Sequence, residues 1–253
     1  MSMVRVIPSL LLKNGTLVKT IGFKNPHYIG DPINAVRIFN EMEVDELIFL
    51  DITATVENRK PKFNIISDIA NECFMPFTYG GGINCIEDIK KILGLGVEKI
   101  AINSYAIENP SFIQKISDIF GSQSIVVSID VKKSITGKYE IFTHCGRKET
   151  NIDAEKFAIE IEKMGAGELL LNSIDKEGTM EGYDTDLIKI ISNAVKIPVI
   201  ASGGAGDNNH LKQAIRAGAS AITAGSMFVY QSANRAVLIN YPSQEELQLI
   251  FDK

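Results

Sequence analysis

The chain has 253 residues but only three cysteines and three histidines, and its basic side chains do not outnumber its acidic ones. Cys73, Cys85 and Cys145 lie far apart, with no paired spacing and an odd count. That excludes a disulfide framework and a structural zinc site, and it fits a reducing compartment. A net charge of −5 speaks against nucleic acid or an anionic membrane as partner. No apolar run is long enough to span a bilayer, no stretch has the form of a signal peptide, and no segment is of low complexity. The expectation is a soluble cytoplasmic protein with no metal and no cofactor. Its hydrophobic share of 45% is ordinary and sufficient for a sizeable core.

What the chain does have is a repeat. The run IPVIASGGAG (Ile197–Gly206), followed by TAGSM from Thr223, ends an apolar stretch in small residues and paired glycines. There, backbone N–H groups can approach an anion unhindered. The same arrangement occurs earlier as MPFTYGGGI (Met75–Ile83) and AINSY (Ala101–Tyr105). Pro76 and Pro198, Gly81 and Gly203, Gly82 and Gly204, Gly96 and Gly218, and Ser104 and Ser226 are each 122 apart. Five matches in one register mark two similar halves, about 1–122 and 123–253, each with one Gly-rich anion loop. A ligand with phosphate at both ends would suit them.

Short β-rich runs alternate with helix-period stretches throughout. Strands are expected at Val4–Leu11, Glu46–Ile52, Pro76–Tyr79, Lys99–Asn103, Ser124–Asp130, Glu168–Ser173, Pro198–Ala201 and Ala219–Ala224. Helices are expected near Pro32–Met42, Phe63–Glu72, Ile86–Leu93, Pro110–Phe120, Asp153–Met164, Thr185–Ala194 and Asn208–Arg216. Asp31-Pro32, Asn109-Pro110 and Asp153 read as helix starts, and Gly96, Gly165 and Gly218 as helix stops. Eight strand–helix units in about 250 residues fit a single (β/α)8 barrel covering residues 1–253. A doubly wound open sheet explains neither the eight units nor the halving as well.

In a barrel the site lies where the strands end. The first anion loop is then Gly80-Gly81-Gly82 with Asn103 and Ser104; the second is Ser202-Gly203-Gly204 with Gly225 and Ser226. Glycines could simply permit tight turns, but two copies at related strand ends favour phosphate binding. Asp51 and Asp130 close the strands FLD and SID, where a carboxylate can act as general acid or base or can cap the next turn. Position alone leaves that choice open. The loop from Asp175 to Asp184, with Glu177 and Gly178, is turn-rich and either folds over a ligand or is plain surface. The long segment Lys13–Gly30, with Lys19, Phe23 and Lys24, reads as a lid. At the opposite strand ends Arg5, Glu46, Lys99 and Glu168 could form a neutral ring or four surface charges, and pattern alone leans to the latter.

Taken together, these residues resemble the cyclase subunit of imidazole glycerol phosphate synthase, the HisF family. The likeness runs through IPSLLLKNG, IGDP, ELIFLDITA, YGGGI, NSYAI, GSQSIVVSID, GAGELLLNSIDKEGTMEGYD and PVIASGGAG, nearly the whole chain. The resemblance implies a barrel of two fused halves, a substrate with two phosphates, and a glutaminase docked at the barrel bottom that passes ammonia through the barrel. It reverses the reading of the charged ring: Arg5, Glu46, Lys99 and Glu168 match the family's ammonia gate. Beside them, Glu98 is a candidate contact with the glutaminase.

The departures are as informative. Where the family carries a catalytic aspartate at the end of strand one, this chain has Leu11, while the partner aspartate is kept as Asp130. Leucine can neither accept nor donate a proton. Asn172 stands for a usual threonine, Glu177 for a usual aspartate and Cys145 for a small residue, and the tail NRAVLINYPSQEEL differs. Leu11 and the tail look like the HisF-like branch associated with acetamidino-sugar formation in surface polysaccharides. That resemblance implies a HisH-like glutaminase and a separate sugar amidotransferase as partners. The rival expectations are a working histidine-pathway cyclase, with Asp130 helped by Asp51 or water, and a non-catalytic phosphate-binding activator of a glutaminase.

Overall fold

The computed structural model of the chain describes residues 4–231 and 234–252. Its first half runs β1 (Arg5–Lys13), β2 (Thr16–Ile21), β3 (Lys24–Gly30), α1 (Pro32–Glu41), β4 (Leu47–Asp51) and α2 (Phe63–Glu72). It continues through β5 (Phe77–Gly80), α3 (Ile86–Gly94), β6 (Lys99–Ile102), α4 (Ser104–Glu108) and α5 (Ser111–Phe120). Then come β7 (Ile125–Lys133), β8 (Tyr139–Thr143), β9 (Lys148–Asp153), α6 (Ala154–Lys163), β10 (Glu168–Ser173) and α7 (Thr185–Ala194). The last stretch is β11 (Val199–Ser202), α8 (Asn208–Arg216), β12 (Ala221–Ala224), α9 (Ser226–Val229), β13 (Tyr230–Gln231), β14 (Ala236–Val237) and α10 (Gln244–Phe251).

Strands β1, β4, β5, β6, β7, β10, β11 and β12 pair in parallel in that order, and β12 pairs back to β1. The sheet is a closed eight-stranded parallel barrel with helices between the strands. Seven of the eight strands lie within two residues of their sequence-expected bounds, and β7 runs three residues further, to Lys133. Helix starts are set by caps: Asp31, Asp153, Asp184 and Asp207 each accept backbone N–H bonds in the first turn. Asn109-Pro110 departs from expectation, because α5 starts at Ser111 without any side-chain cap. Gly96, Gly165 and Gly218 follow α3, α6 and α8 with φ of 101°, 89° and 111°, a left-handed stop that a Cβ would strain.

Two hairpins were not foreseen as such. The segment expected as a lid is the antiparallel pair β2–β3 laid on β1, with Leu17–Thr20 buried. A second pair, β8–β9, extends β7 in the same way. Their turns carry left-handed residues at matching places: Gly22 and His144, and Phe23 and Cys145, are again 122 apart. Each turn holds one left-handed glycine, Gly22 or Gly146, but phenylalanine, histidine and cysteine at the neighbouring left-handed places give no turn signature.

Side chains alternate across each barrel strand. The outward set packs against the helices in one large core. The inward set forms a waist of Ile7, Ile48, Ala101, Val126, Leu170, Ile200 and Ala221, all essentially buried. Below that waist lies a charged layer; above it lies the mouth.

Candidate functional site

A cavity of about 290 Å³ opens where the strands end. Every strand of the barrel reaches it with a residue, β11 through its last one, Ser202, and the loop after β11 adds Gly203 and Gly204. Strand β7 carries Asp130 to its wall, where the carboxylate is buried. One oxygen accepts from Asn103 Nδ2 at 2.9 Å and the other from Asn172 Nδ2 at 3.1 Å. Burial pushes this carboxyl up to about 6, against the pull of the two amides. A carboxyl placed there exchanges a proton close to neutral pH.

The register identifies its counterpart. Val6 faces Ile222 as Ile125 faces Ile100, and Leu11 faces Leu50 as Asp130 faces Asn172. Leu11 and Leu50 both line the cavity, so the wall related to Asp130 and Asn172 is apolar. At the place related to Asn103 stands Gly225, and a Cβ there would collide with the ammonium of Lys19. Lys19 itself is buried and donates to the carbonyl of Ser9. Burial lowers it to about 8, while Glu177 pulls the other way.

Glu177 ties the first hairpin to the loop after β10. Its carboxylate accepts from Thr20 Oγ1 at 2.8 Å and from the backbone N–H of Phe23 at 3.0 Å, and its carbonyl accepts from Gly22 at 3.0 Å. Gly178 fits beneath because a Cβ would overlap the carbonyl of Thr20. The Lys19–Phe23 segment, of which Lys19, Thr20 and Phe23 line the cavity, is therefore held by the loop after β10.

Asp51 takes the capping role of the two left open. Arg59 grips both its oxygens, at 2.7 and 2.8 Å, and the backbone N–H groups of Thr53 and Ala54 donate to it at 3.2 Å. Both carboxylate oxygens of Asp51 are thus engaged by neighbours within the protein. Cys145, on the second hairpin, donates to the carbonyl of Ile52, and burial pushes its thiol up to about 12. It is a neutral wall.

Both expected anion loops meet at this cavity: Gly81, Gly82, Asn103 and Ser104 on one side, and Gly178, Ser202, Gly203, Gly204, Gly225 and Ser226 on the other. Their glycines also serve packing. A Cβ on Gly82 would meet the carbonyl of Arg59, and one on Gly204 that of Gly182. The buried Ser226 hydroxyl has no partner among the described residues.

At the bottom, Arg5 bonds Glu46 at 2.7 Å and Glu168 at 2.6 Å, and Lys99 reaches the same two at 3.2 and 3.1 Å. Thr78 donates a further bond to Glu46 at 3.0 Å. The ring closes, contrary to the pattern-only reading of four separate surface charges. Glu98 is exposed beside it. Among the cavity residues that escaped the sequence reading are Arg59, in a loop without a catalytic or glycine-rich motif, and His144, one of only three histidines.

The family described as "Histidine biosynthesis protein" matches residues 5–234. The chain belongs to this family. It is 49% identical over 249 residues to a "Putative imidazole glycerol phosphate synthase subunit HisF" of Leptospira interrogans, covering 98% of each chain. It is equally similar, 49% over 246 residues, to a "Putative imidazole glycerol phosphate synthase subunit hisF2" of Pseudomonas aeruginosa, covering 97% of this chain and 98% of that one. An "Imidazole glycerol phosphate synthase subunit HisF" of Endomicrobium trichonymphae is 47% identical over 228 residues, covering 90% and 88%. The HisF-like character read from the motifs therefore stands. Among the described residues no helix is long and apolar enough to cross a membrane.

Proposed function

We propose that this HisF-like barrel is the synthase-side subunit of a glutamine amidotransferase complex, passing ammonia from a HisH-like glutaminase through the barrel for acetamidino formation on a surface-polysaccharide sugar in the cytoplasm. The observation that carries this reading is the apolar Leu11–Leu50 wall related to Asp130 and Asn172, set above a bottom ring whose four members all pair. Ring closure needs a proton taken and a proton given, and a leucine wall supports only half of that exchange. Passage of ammonia needs the lower machinery alone. In this reading the ring of Arg5, Glu46, Lys99 and Glu168 is the gate, Glu98 meets the glutaminase, and Lys19 and Phe23 form the lid. A sugar amidotransferase would receive the ammonia.

The second reading, a histidine-pathway cyclase, is favoured by the two glycine loops and by the partnerless Ser226 hydroxyl, which a phosphate oxygen would satisfy. Both readings take a phosphate ligand between those loops. One experiment separates them: turnover of the cyclase substrate by purified protein with ammonium salt, which removes the need for a glutaminase. No product from folded protein supports the conduit. Turnover at the rate of an ordinary cyclase overturns it. A chain that only stimulates a glutaminase when phosphate ligand is added, with no transfer of ammonia, would be a non-catalytic activator.

A further inference from the structure

The second hairpin brings into the cavity a group that no role above uses. His144 lines the cavity at the turn between β8 and β9, with a left-handed φ of 53° followed by 57° at Cys145. Left-handed backbone at two adjacent non-glycine residues costs energy and persists where the surroundings impose it. The surroundings here are the first anion loop. The backbone N–H of His144 donates to Ser104 Oγ at 3.0 Å, which locks the turn onto that loop. Nδ1 is engaged by Thr143 Oγ1 at 3.1 Å, and Thr143 is fully buried. Nε2 has no hydrogen-bond partner among the described residues.

The first loop is also short of free donors. The Asn103 amide is spent on Asp130, and Ser104 Oγ leans on Asn103 Oδ1 at 3.4 Å. Of the charges near the imidazole, Arg147 shares its turn, its backbone N–H donating to the carbonyls of Thr143 and His144. It has no ion pair among the described residues, while the others are matched. Glu108 of α4 pairs with Lys148 of β9, Asp51 of β4 pairs with Arg59, and Cys145 keeps its proton. Asp130 of β7 is held by its two amides. A ring with one anchored and one unpartnered nitrogen, beside a glycine loop, is suited to a phosphate oxygen, to which it gives a charge-assisted hydrogen bond when protonated.

We propose that His144 is a ligand of the first anion site, donating through Nε2 to the phosphomonoester held by Gly81 and Gly82, so that this end of the ligand binds more tightly as the imidazole gains its proton. The proposal rests on the phosphate-binding reading of the two loops. It makes the two sites unequal: the second offers the Ser226 hydroxyl and has no matching histidine, since the residue related to His144 is Gly22.

The test is an NMR titration of the intact chain with inorganic phosphate at pH 6 and pH 8.5. Three histidines, His27, His144 and His210, give few ring signals, and His144→Gln assigns the one that matters. The expected result is a phosphate-dependent shift of the His144 ring signal and of the Gly81 and Gly82 amides, with His27 unmoved. His144→Gln should weaken phosphate at the first site about 10-fold at pH 6 and leave it unchanged at pH 8.5. Comparing variant and parent at one pH cancels the titration of phosphate itself. Gly81 and Gly82 shifting while His144 stays still, or equal binding by His144→Gln at pH 6, overturns the proposal and leaves the loop reading intact. Phosphate that moves none of the glycine amides at either loop overturns both.

Discussion

The two walls of the mouth share one strand register and carry opposite chemistry. On one, Asp130 is gripped by Asn103 and Asn172; on the other the related places hold Leu11, Gly225 and Leu50. The polar group that enters the apolar wall is a cation: Lys19, from the first hairpin, occupies the space that Gly225 leaves. The backbone of the halves has stayed alike, with paired glycine loops and matched left-handed turns. Side chains have diverged in the layer that would exchange protons with a ligand, while the backbone that would hold it has been kept.

The largest effect is expected where the halves still agree. Gly204→Ala would drive a methyl into the carbonyl of Gly182 at a φ of 111°, and Gly82→Ala would meet the carbonyl of Arg59 at 71°. Each is expected to cost about 3 kcal/mol, from strain added to overlap. Equal shifts in denaturant midpoint would show that the loops remain equivalent. A loss at one alone would extend the divergence to the anion sites.

Where the walls differ, pH separates them. Lys19 is expected to lose stability in its charged form, because its folded value of about 8 lies below that of an unfolded lysine. Its favourable contribution is present above about pH 10.4 and is lost as pH falls through 8. Lys19→Met should then stabilise the fold by roughly 2–3 kcal/mol at pH 7. Asp130 runs the other way. Its folded value of about 6 lies above that of a free aspartate, so its contribution is present below about pH 3.9 and is lost as pH rises through 6. Asp130→Asn should gain about 2 kcal/mol at pH 7.5, reduced by the misfit of a third amide, and nothing near pH 4. Unfolding midpoints of both variants across pH 4 to 9 test this. A flat difference for either would show that its charge is compensated by something other than its present neighbours.

Much of this was legible in the sequence, and the failures are specific. The 122-residue repeat placed both glycine loops, and alternating apolar runs placed all eight barrel strands, because backbone conformation and burial leave marks on residue type. The bottom ring was misread from pattern alone. Four charges at strand starts look like solvated ends until closure of the barrel brings Arg5 within 2.6 Å of Glu168, 163 positions away. The commitment of Asp51 to Arg59 was hidden for a related reason, since ion pairing depends on the path of the loop after β4. His144 left no signal at all: a lone histidine in a polar turn is unremarkable until the chain folds it against Ser104.

The smallest expected effect bears most directly on the comparison. Leu11→Asp restores a carboxyl to the apolar wall but gives it no amide, since its strand neighbour is Leu50 where Asp130 has Asn172. Adding Leu50→Asn supplies the missing donor. A double-mutant cycle on unfolding free energy should give a favourable coupling of about 1 kcal/mol, the net worth of one such hydrogen bond. The Asn103 place remains a glycine occupied by Lys19, so the new pair receives one of the two amides that hold Asp130. If the lost aspartate is the whole difference from an acting cyclase, the double variant should turn over the cyclase substrate with ammonium salt where the parent does not. Coupling without turnover would place the divergence beyond these two residues, in the Lys19 contact or the altered tail. Turnover without coupling would mean that the carboxyl works unaided, and that the amides around Asp130 serve its burial more than its chemistry.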